Sequence, residues 1–314
     1  MMAMRPDAAS DTVFDVVGLG ASSIDELLWV ARFPEADSKI PVLRRARHCG
    51  GIGATSLVAA ARLGSRTAYA GTLGTDEHSQ FVVDALNLKG VHTEHVHVYP
   101  GAMPVLSVIL LDESRKTRTI IYDSGGIVGP EDDWLPTELL VNARVLLVDY
   151  LRIDLMIRAA RVARAAGTAV VGDLEDASAP RVAELLEVVD HLVLSSSFAA
   201  AFTGERSPAR AAECLAAPGR SVVVTCGADG SWYLPEDGSP EPVHQPAFLV
   251  DAVDTNGCGD VFHGAYASAL ARGLALPDRV RFASAAAAIS ATTPGGQEGI
   301  PDLETVTRYL EEQP

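Results

Sequence analysis

The segment Asp254-Thr-Asn-Gly-Cys-Gly-Asp260 stands directly before a long alanine-rich run, and its residue types suit phosphoryl chemistry. Two glycines let the backbone turn tightly, and a helix that starts there leaves its first amides without intrahelical partners, at the positive end of the helix dipole. The amides of Asn256, Gly257, Cys258 and Gly259 could then wrap an anion, while the Asp260 carboxylate could take a proton from a hydroxyl held beside it. A blander description also fits the segment taken alone. In it, Thr255 and Asp260 are helix caps contributing about 1 kcal/mol and the glycines form an ordinary turn.

Such a turn needs a rigid frame, and the hydrophobic pattern supplies one. Val13 to Gly20 is a short apolar run ending in glycine, suited to a buried first strand with the chemistry at its end. Segments 27–33 and 39–48 read as a hairpin, 105–112 and 118–123 as a second one around Glu113-Ser-Arg-Lys116, and the two together as a lid. From Val145 onward strands and helices alternate: strands at 145–148, 169–172, 191–194 and 221–225, with helices at 155–166 and 181–188 between them. That alternation predicts an α/β fold with a mostly parallel sheet and crossover helices, closed by helices over 261–272 and 279–290. With no repeat and no low-complexity linker, residues 1–314 read as one domain, with lid strands inserted at about 27–48 and 103–123.

Composition narrows the function classes. The chain of 314 residues is 48% apolar and 21% charged, as expected for a globular protein. Its 25 Lys and Arg against 41 Asp and Glu give a net charge of −16, which repels nucleic acid and anionic membranes. The start, MMAMRPDAASD, lacks the apolar run of a secretory signal, and no apolar stretch reaches the roughly 20 residues of a membrane span, so a cytoplasmic protein is expected. Cys49, Cys214, Cys226 and Cys258 are scattered without zinc or disulfide spacing and read as reduced thiols. Gly18-Leu-Gly20-Ala-Ser-Ser lacks the third glycine of the dinucleotide fingerprint, which disfavours a dehydrogenase.

The run Asp254-Thr-Asn-Gly-Cys-Gly-Asp-Val-Phe-His-Gly264 resembles the signature of the ribokinase-like (PfkB) carbohydrate kinases. Gly50-Gly51-Ile-Gly53 resembles that family's N-terminal glycine motif and Thr225-Cys-Gly227-Ala-Asp-Gly230 its nucleotide-side turn, in the family's order. The resemblance implies a three-layer ribokinase-like fold with a small β lid, and transfer of the ATP γ-phosphoryl group to a sugar hydroxyl with Mg²⁺. It makes Asp260 the base and the backbone from Asn256 through Gly257 and Cys258 to Gly259 the anion hole. It places Asp25, Gly50, Gly51, Thr55, Tyr122 and Asp149 around the sugar, and Thr225, Gly227, Gly230, Ala283 and Ser284 around the nucleotide. Asp254 matches a residue beside the family's monovalent-cation site, with Gly295-Gly-Gln-Glu298 on its other side, which implies potassium activation. Apolar lid faces such as Val105 to Leu111 imply a homodimer packed lid to lid.

Departures from the family pattern define the open questions. The place of the common Asn-x-x-Glu motif, which helps organise Mg²⁺, reads Ser195-Ser-Ser-Phe198, with Glu175 and Asp176 as candidate substitutes. Cys258 stands where alanine is usual, either as a small filler or as a thiol activated at a helix start. The C-terminal motifs are most similar to the sulfofructose kinase branch, yet the sulfonate-binding position reads Leu151, with Arg152 one place away. Arg118 and Lys116 on the second hairpin are other candidates for an anionic substituent. The expected acceptor is therefore a fructose- or sulfofructose-like ketose, beside two rivals: a nucleoside or aminoimidazole kinase on the same fold, and a non-catalytic sugar-binding regulator.

Overall fold

The computed structural model describes residues 14–115, 117–129, 134–236 and 238–313; Val13, Lys116 and the N-terminal segment considered above lie outside them. The first third of the chain runs through β1 (Phe14–Gly18), β2 (Ser23–Val30), β3 (Arg44–Gly50), α1 (Ile52–Arg62), β4 (Thr67–Tyr69), β5 (Thr72–Leu73), α2 (Glu77–Leu88), β6 (Val91–His92) and β7 (His97–Val98). It continues with β8 (Val105–Asp112), β9 (Thr117–Asp123), α3 (Thr137–Val141), β10 (Ala143–Val148), α4 (Ile153–Ala166), β11 (Ala169–Gly172), α5 (Val182–Val188), β12 (His191–Ser195), α6 (Ser196–Thr203) and α7 (Pro208–Cys214). The last part holds β13 (Ser221–Thr225), β14 (Ser231–Tyr233), β15 (Val243–Gln245), α8 (Cys258–Ala271), α9 (Leu276–Ser290) and α10 (Leu303–Glu312).

Among the described residues, nine strands form one sheet in the order β15-β14-β13-β12-β11-β10-β1-β4-β6. Pairing is parallel from β6 across to β13 and antiparallel only at β14 and β15. Side chains alternate across the strands as a twofold repeat requires. Val145, Leu147, Val171, Val193 and Val223 join one buried cluster with residues of α1, α8 and α9. Leu146, Val148, Val170, Leu192, Leu194, Val222 and Val224 join another with residues of α4, α5 and α7. Helices thus cover both faces, the three-layer arrangement that alternating strands and helices predict.

Strands β3-β2-β8-β9 form a separate four-stranded sheet, the expected lid. Its first hairpin is set wider than the apolar pattern suggests: the first strand lies earlier, at 23–30 in place of 27–33, and the second later, at 44–50 in place of 39–48. Hydrogen bonding extends past the apolar residues into Ser23-Ile-Asp25, and Asp25 consequently sits within a strand, not in a loop. Register then sets Asp25 opposite His48 on β3 and Ser107 on β8.

Candidate active site

Helix α8 begins at Cys258 with Gly257 as its cap in the left-handed conformation, φ 72°, and no side chain bonds its first amides. Neither Thr255 nor Asp260 is a cap, so the bland description of this turn fails. The first-turn amides have no side-chain acceptor and Asp260 lies in the first turn itself. A Cβ on Gly257 would stand 2.8 Å from the carbonyl oxygen of Gly296, while the space above Gly259 is open for 4 Å. One glycine is needed for its conformation and close approach, the other leaves room for a ligand.

Two cavities meet at this turn. The first, of about 660 Å³, lies between the lid and the C-terminal ends of the parallel strands, and Asn256, Gly257 and Asp260 form part of its wall. Asp25, Gly50, Gly51, Thr55 and Tyr122 line it as expected. Asp25 accepts a hydrogen bond from Ser23 Oγ at 2.8 Å, and its pKa is raised because burial outweighs its bonds to Ser23 and Ser107. Gly50 admits that carboxylate, since a Cβ there would collide with Asp25 Oδ2. Gly51, at φ 95°, turns the chain into α1, whose Thr55 Oγ1 accepts from Gln297 Nε2 at 3.1 Å.

The sequence reading missed Ser23, His48, Ser107 and Gln297 on this wall. Strand alternation from Asp25 could have found Ser23, and alternation along β8 could have found Ser107. Nothing local marks His48, which faces Asp25 only through strand pairing. Glu175 also lines this cavity, together with Asp176, so both lie on the sugar side of the turn and not beside the nucleotide-side glycines.

Asp149 needs correction. It is fully buried and is not part of the cavity wall; its Oδ2 accepts from the amide of Ala21 at 2.6 Å and its Oδ1 from that of Leu151 at 2.9 Å. Burial pushes its pKa up to about 7 despite those bonds. It acts from beneath, holding the ends of β1 and β10 so that Ala21, Tyr150 and Leu151 reach the wall.

The second cavity, of about 390 Å³, is bounded by Thr225, Gly227, Gly230, Thr255, Cys258, Gly259 and Ser284, with apolar walls from Phe248, Ala287, Ala288 and Ala291. Ala283 is a correction: it is fully buried in the core, and the helical period of α9 turns Ser284, Ala287, Ala288 and Ala291 outward in its place. Cys258 is not an activated thiol; burial, with Asp254 nearby, pushes its pKa up to about 11. Asp254 ties two loops together, accepting from the amides of Asn256 at 2.9 Å and Gly295 at 3.0 Å. At the departure from Asn-x-x-Glu, Ser195 caps α6 through the amide of Phe198. Arg118 reaches from the lid to Thr255 Oγ1 at 2.9 Å, and Arg152 to Thr72 Oγ1 at 2.9 Å; neither lines the larger cavity.

Asp260 lines the first cavity and follows directly after Gly259, which lines the second. Its pKa is raised well above the carboxylate range, by burial first and then by Asp173 and Glu175, against the opposing charge of His263. Ser56 Oγ of α1 donates to its backbone oxygen at 3.0 Å, and a Cβ on Gly264 would collide with Ser56 O, so α1 and α8 touch closely. Gly50 and Gly51 before α1 and Asp260 in the first turn of α8 are thereby held in one rigid unit. An acidic group beside a helix start that no side chain caps, with a cavity on either side of the turn, suits phosphoryl transfer.

Known proteins agree. Residues 15–303 match the pfkB family of carbohydrate kinases, and the chain belongs to that family. It is 28% identical over 302 residues to a ribokinase of Haemophilus influenzae, covering 93% of this chain and 97% of that one. It is 25% identical over 308 residues to a deoxyribokinase of Salmonella typhimurium, covering 94% and 98%. The structure of Arabidopsis thaliana ribokinase complexed with ribose and ATP superposes with a TM-score of 0.82 at 26% identity, covering 95% of this chain and 99% of that one. The fold is ribokinase-like and the chain is a phosphotransferase with an alcohol group as acceptor.

Proposed function

We propose that this kinase transfers the γ-phosphoryl group of ATP to a hydroxyl of an uncharged sugar, with Asp260 as the base. The carrying observation is the meeting of two cavities at one helix start: Asn256, Gly257 and Asp260 face the polar side, while Thr255, Cys258 and Gly259 face the apolar side. ATP seats its base against Phe248, Ser284 and Ala287, with its phosphates directed to the open space above Gly259. The sugar sits under the lid with hydroxyls on Asp25. Phosphoryl transfer depends chiefly on positioning and on neutralising spread-out charge, which the first-turn amides of α8 provide. Asp260 accepts the hydroxyl proton as the new bond forms.

Mg²⁺ enters with the nucleotide and neutralises phosphate charge. Among the described residues no group of three His, Cys, Asp or Glu could cage a metal by itself, which suits an ion carried mainly by phosphates and water. Potassium activation through the Asp254 and Gly295 loops rests on the family resemblance. Likewise proposed are a cytoplasmic location and a homodimer. Among the described residues no helix is long and apolar enough to cross a membrane. Val108 and Ile121, paired across β8 and β9, are 38% and 59% exposed on the lid. Ile121→Asp should convert a dimer to a monomer in sedimentation; an unchanged sedimentation coefficient refutes lid-to-lid pairing.

Among the described residues no Lys or Arg lines the larger cavity, whereas Asp25, Glu175, Asp176 and Asp260 do, with His48 as the one basic side chain. This speaks against a sulfonated or phosphorylated acceptor, because an anion would meet four acidic groups and a single histidine already paired with Glu298. The relatives named above are ribose and deoxyribose kinases, which favours a pentose over the ketose expected from sequence. An ADP-release screen over ribose, deoxyribose, fructose, sulfofructose and nucleosides tests this. The highest kcat/KM should fall on a neutral pentose; a sulfosugar at the top of the ranking overturns the neutral-cavity reading.

A further inference from the structure

His263 lies one helical turn after Gly259 on α8 and is 5% exposed. Its Nε2 lies 2.7 Å from the carbonyl oxygen of Val193 on β12, and its Nδ1 lies 2.8 Å from the carbonyl oxygen of Gly259 and 3.0 Å from Oδ2 of Asp173, just past β11. Every one of these partners is an acceptor. A neutral imidazole carries one N–H and one lone pair, so either neutral tautomer would aim a lone pair at a buried oxygen. Only the doubly protonated ring satisfies both sides. Burial alone would push this histidine's pKa down, yet Asp173 and the two carbonyls outweigh it and hold it at about 9.

We propose that His263 is an imidazolium at neutral pH beneath the anion loop, a positioning residue that anchors the Gly259 carbonyl and supplies the counter-charge that keeps Asp260 able to ionise. This rests on Asp260 being the base. The charged groups that act on Asp260 are Asp173 and Glu175 from the exit of β11, Asp25 from β2 and His263 from its own helix. Three of the four are acidic, so a buried cation is the one influence among them that favours the carboxylate form. Through its bond to Gly259 the ring also ties the anion loop to β12, in the middle of the sheet. The geometry explains why a histidine stands at this buried position before Gly264 and Ala265: any uncharged side chain there leaves the buried Asp173 without a counter-charge.

The experiment uses the full chain and the sugar identified by the screen. His263→Gln keeps one amide donor and removes the charge; the acidic limb of the kcat/KM profile should move up by about one pH unit or more, with kcat reduced and KM for ATP nearly unchanged. A moved limb is a signature that lost stability alone cannot produce. Should His263→Gln fail to fold, ¹⁵N NMR of the histidine ring in the unsubstituted protein decides: two protonated nitrogens at pH 7.5 support the proposal, and a neutral tautomer overturns it. Asp173→Asn removes the carboxylate that holds the ring charged and should lower the pH at which the ring loses its second N–H proton in the same spectra. An unmoved limb in His263→Gln also overturns the proposal. If Asp260→Asn retains turnover, the base assignment itself fails, independently of the NMR result.

Discussion

At the scale of single residues, the site is built from groups that are strained, desolvated or charged at some expense. Asp260 is the clearest case, because burial is the first cause of its raised pKa. Asp260→Asn preserves shape and removes the proton acceptor. Turnover should fall by at least about a hundredfold while ATP binding, read by calorimetry, is retained. Near-normal turnover in that variant would remove Asp260 from its role. Asp149 shows how a carboxylate may match a site pattern and serve from underneath: both oxygens are spent on the amides of Ala21 and Leu151.

At the scale of elements, two helix starts and one turn do the positioning. Gly230 is held at φ 85°, and a Cβ there would meet Gln245 O and stand 2.7 Å from the amide nitrogen of Ala247. Gly227 also has a positive φ, 57°, but nothing lies within 4 Å of its missing Cβ. Gly227→Ala should cost only the left-handed penalty, about 1–2 kcal/mol. Gly230→Ala adds a backbone clash beside Ala247 and Phe248, which line the nucleotide cavity. It should raise KM for ATP well beyond the Gly227→Ala value and leave KM for the sugar unchanged. Equal effects of the two substitutions would show that the Gln245–Phe248 segment does not shape the nucleotide cavity.

At the scale of the whole molecule, stability should depend on pH through groups whose pKa values are raised on folding. His263 rises from 6.5 to about 9, so its contribution is complete below 6.5 and is lost as pH climbs through 9. His48, raised by its bond to Glu298, has the same sign. Asp260, an acid raised by burial, costs stability as pH rises from its ordinary 3.8 towards its raised value. The two raised histidines point one way above neutrality, whereas His191, lowered to about 4 by burial, changes charge only at lower pH. The melting temperature of the ligand-free protein should therefore fall between pH 7 and pH 9. A flat or rising profile over that range would contradict the assigned charge states.

Much of this was legible along the chain. The parallel sheet follows from apolar runs such as Val145 to Val148, which falls inside β10, and Ser221 to Thr225, which matches β13, because period and composition are local properties. The glycine turn that opens α8 was legible as well, since glycine conformation and a helix start without a side-chain cap belong to one short segment. What local pattern could not supply was partnership between distant segments. His48 faces Asp25 through strand register, Ala283 turns inward through the rotation of α9, and Asp149 is buried by β1 and β10 together. The protonated state of His263 was equally out of reach, because its three acceptors come from β11, β12 and α8. The sequence by itself determined most of the elements, the glycine turn and the acidic residue in the first turn of α8. Only the tertiary structure decided which carboxylates face the sugar, which are spent on the scaffold and where the compensating charge lies, because burial and Coulombic interaction act across space and not along the chain.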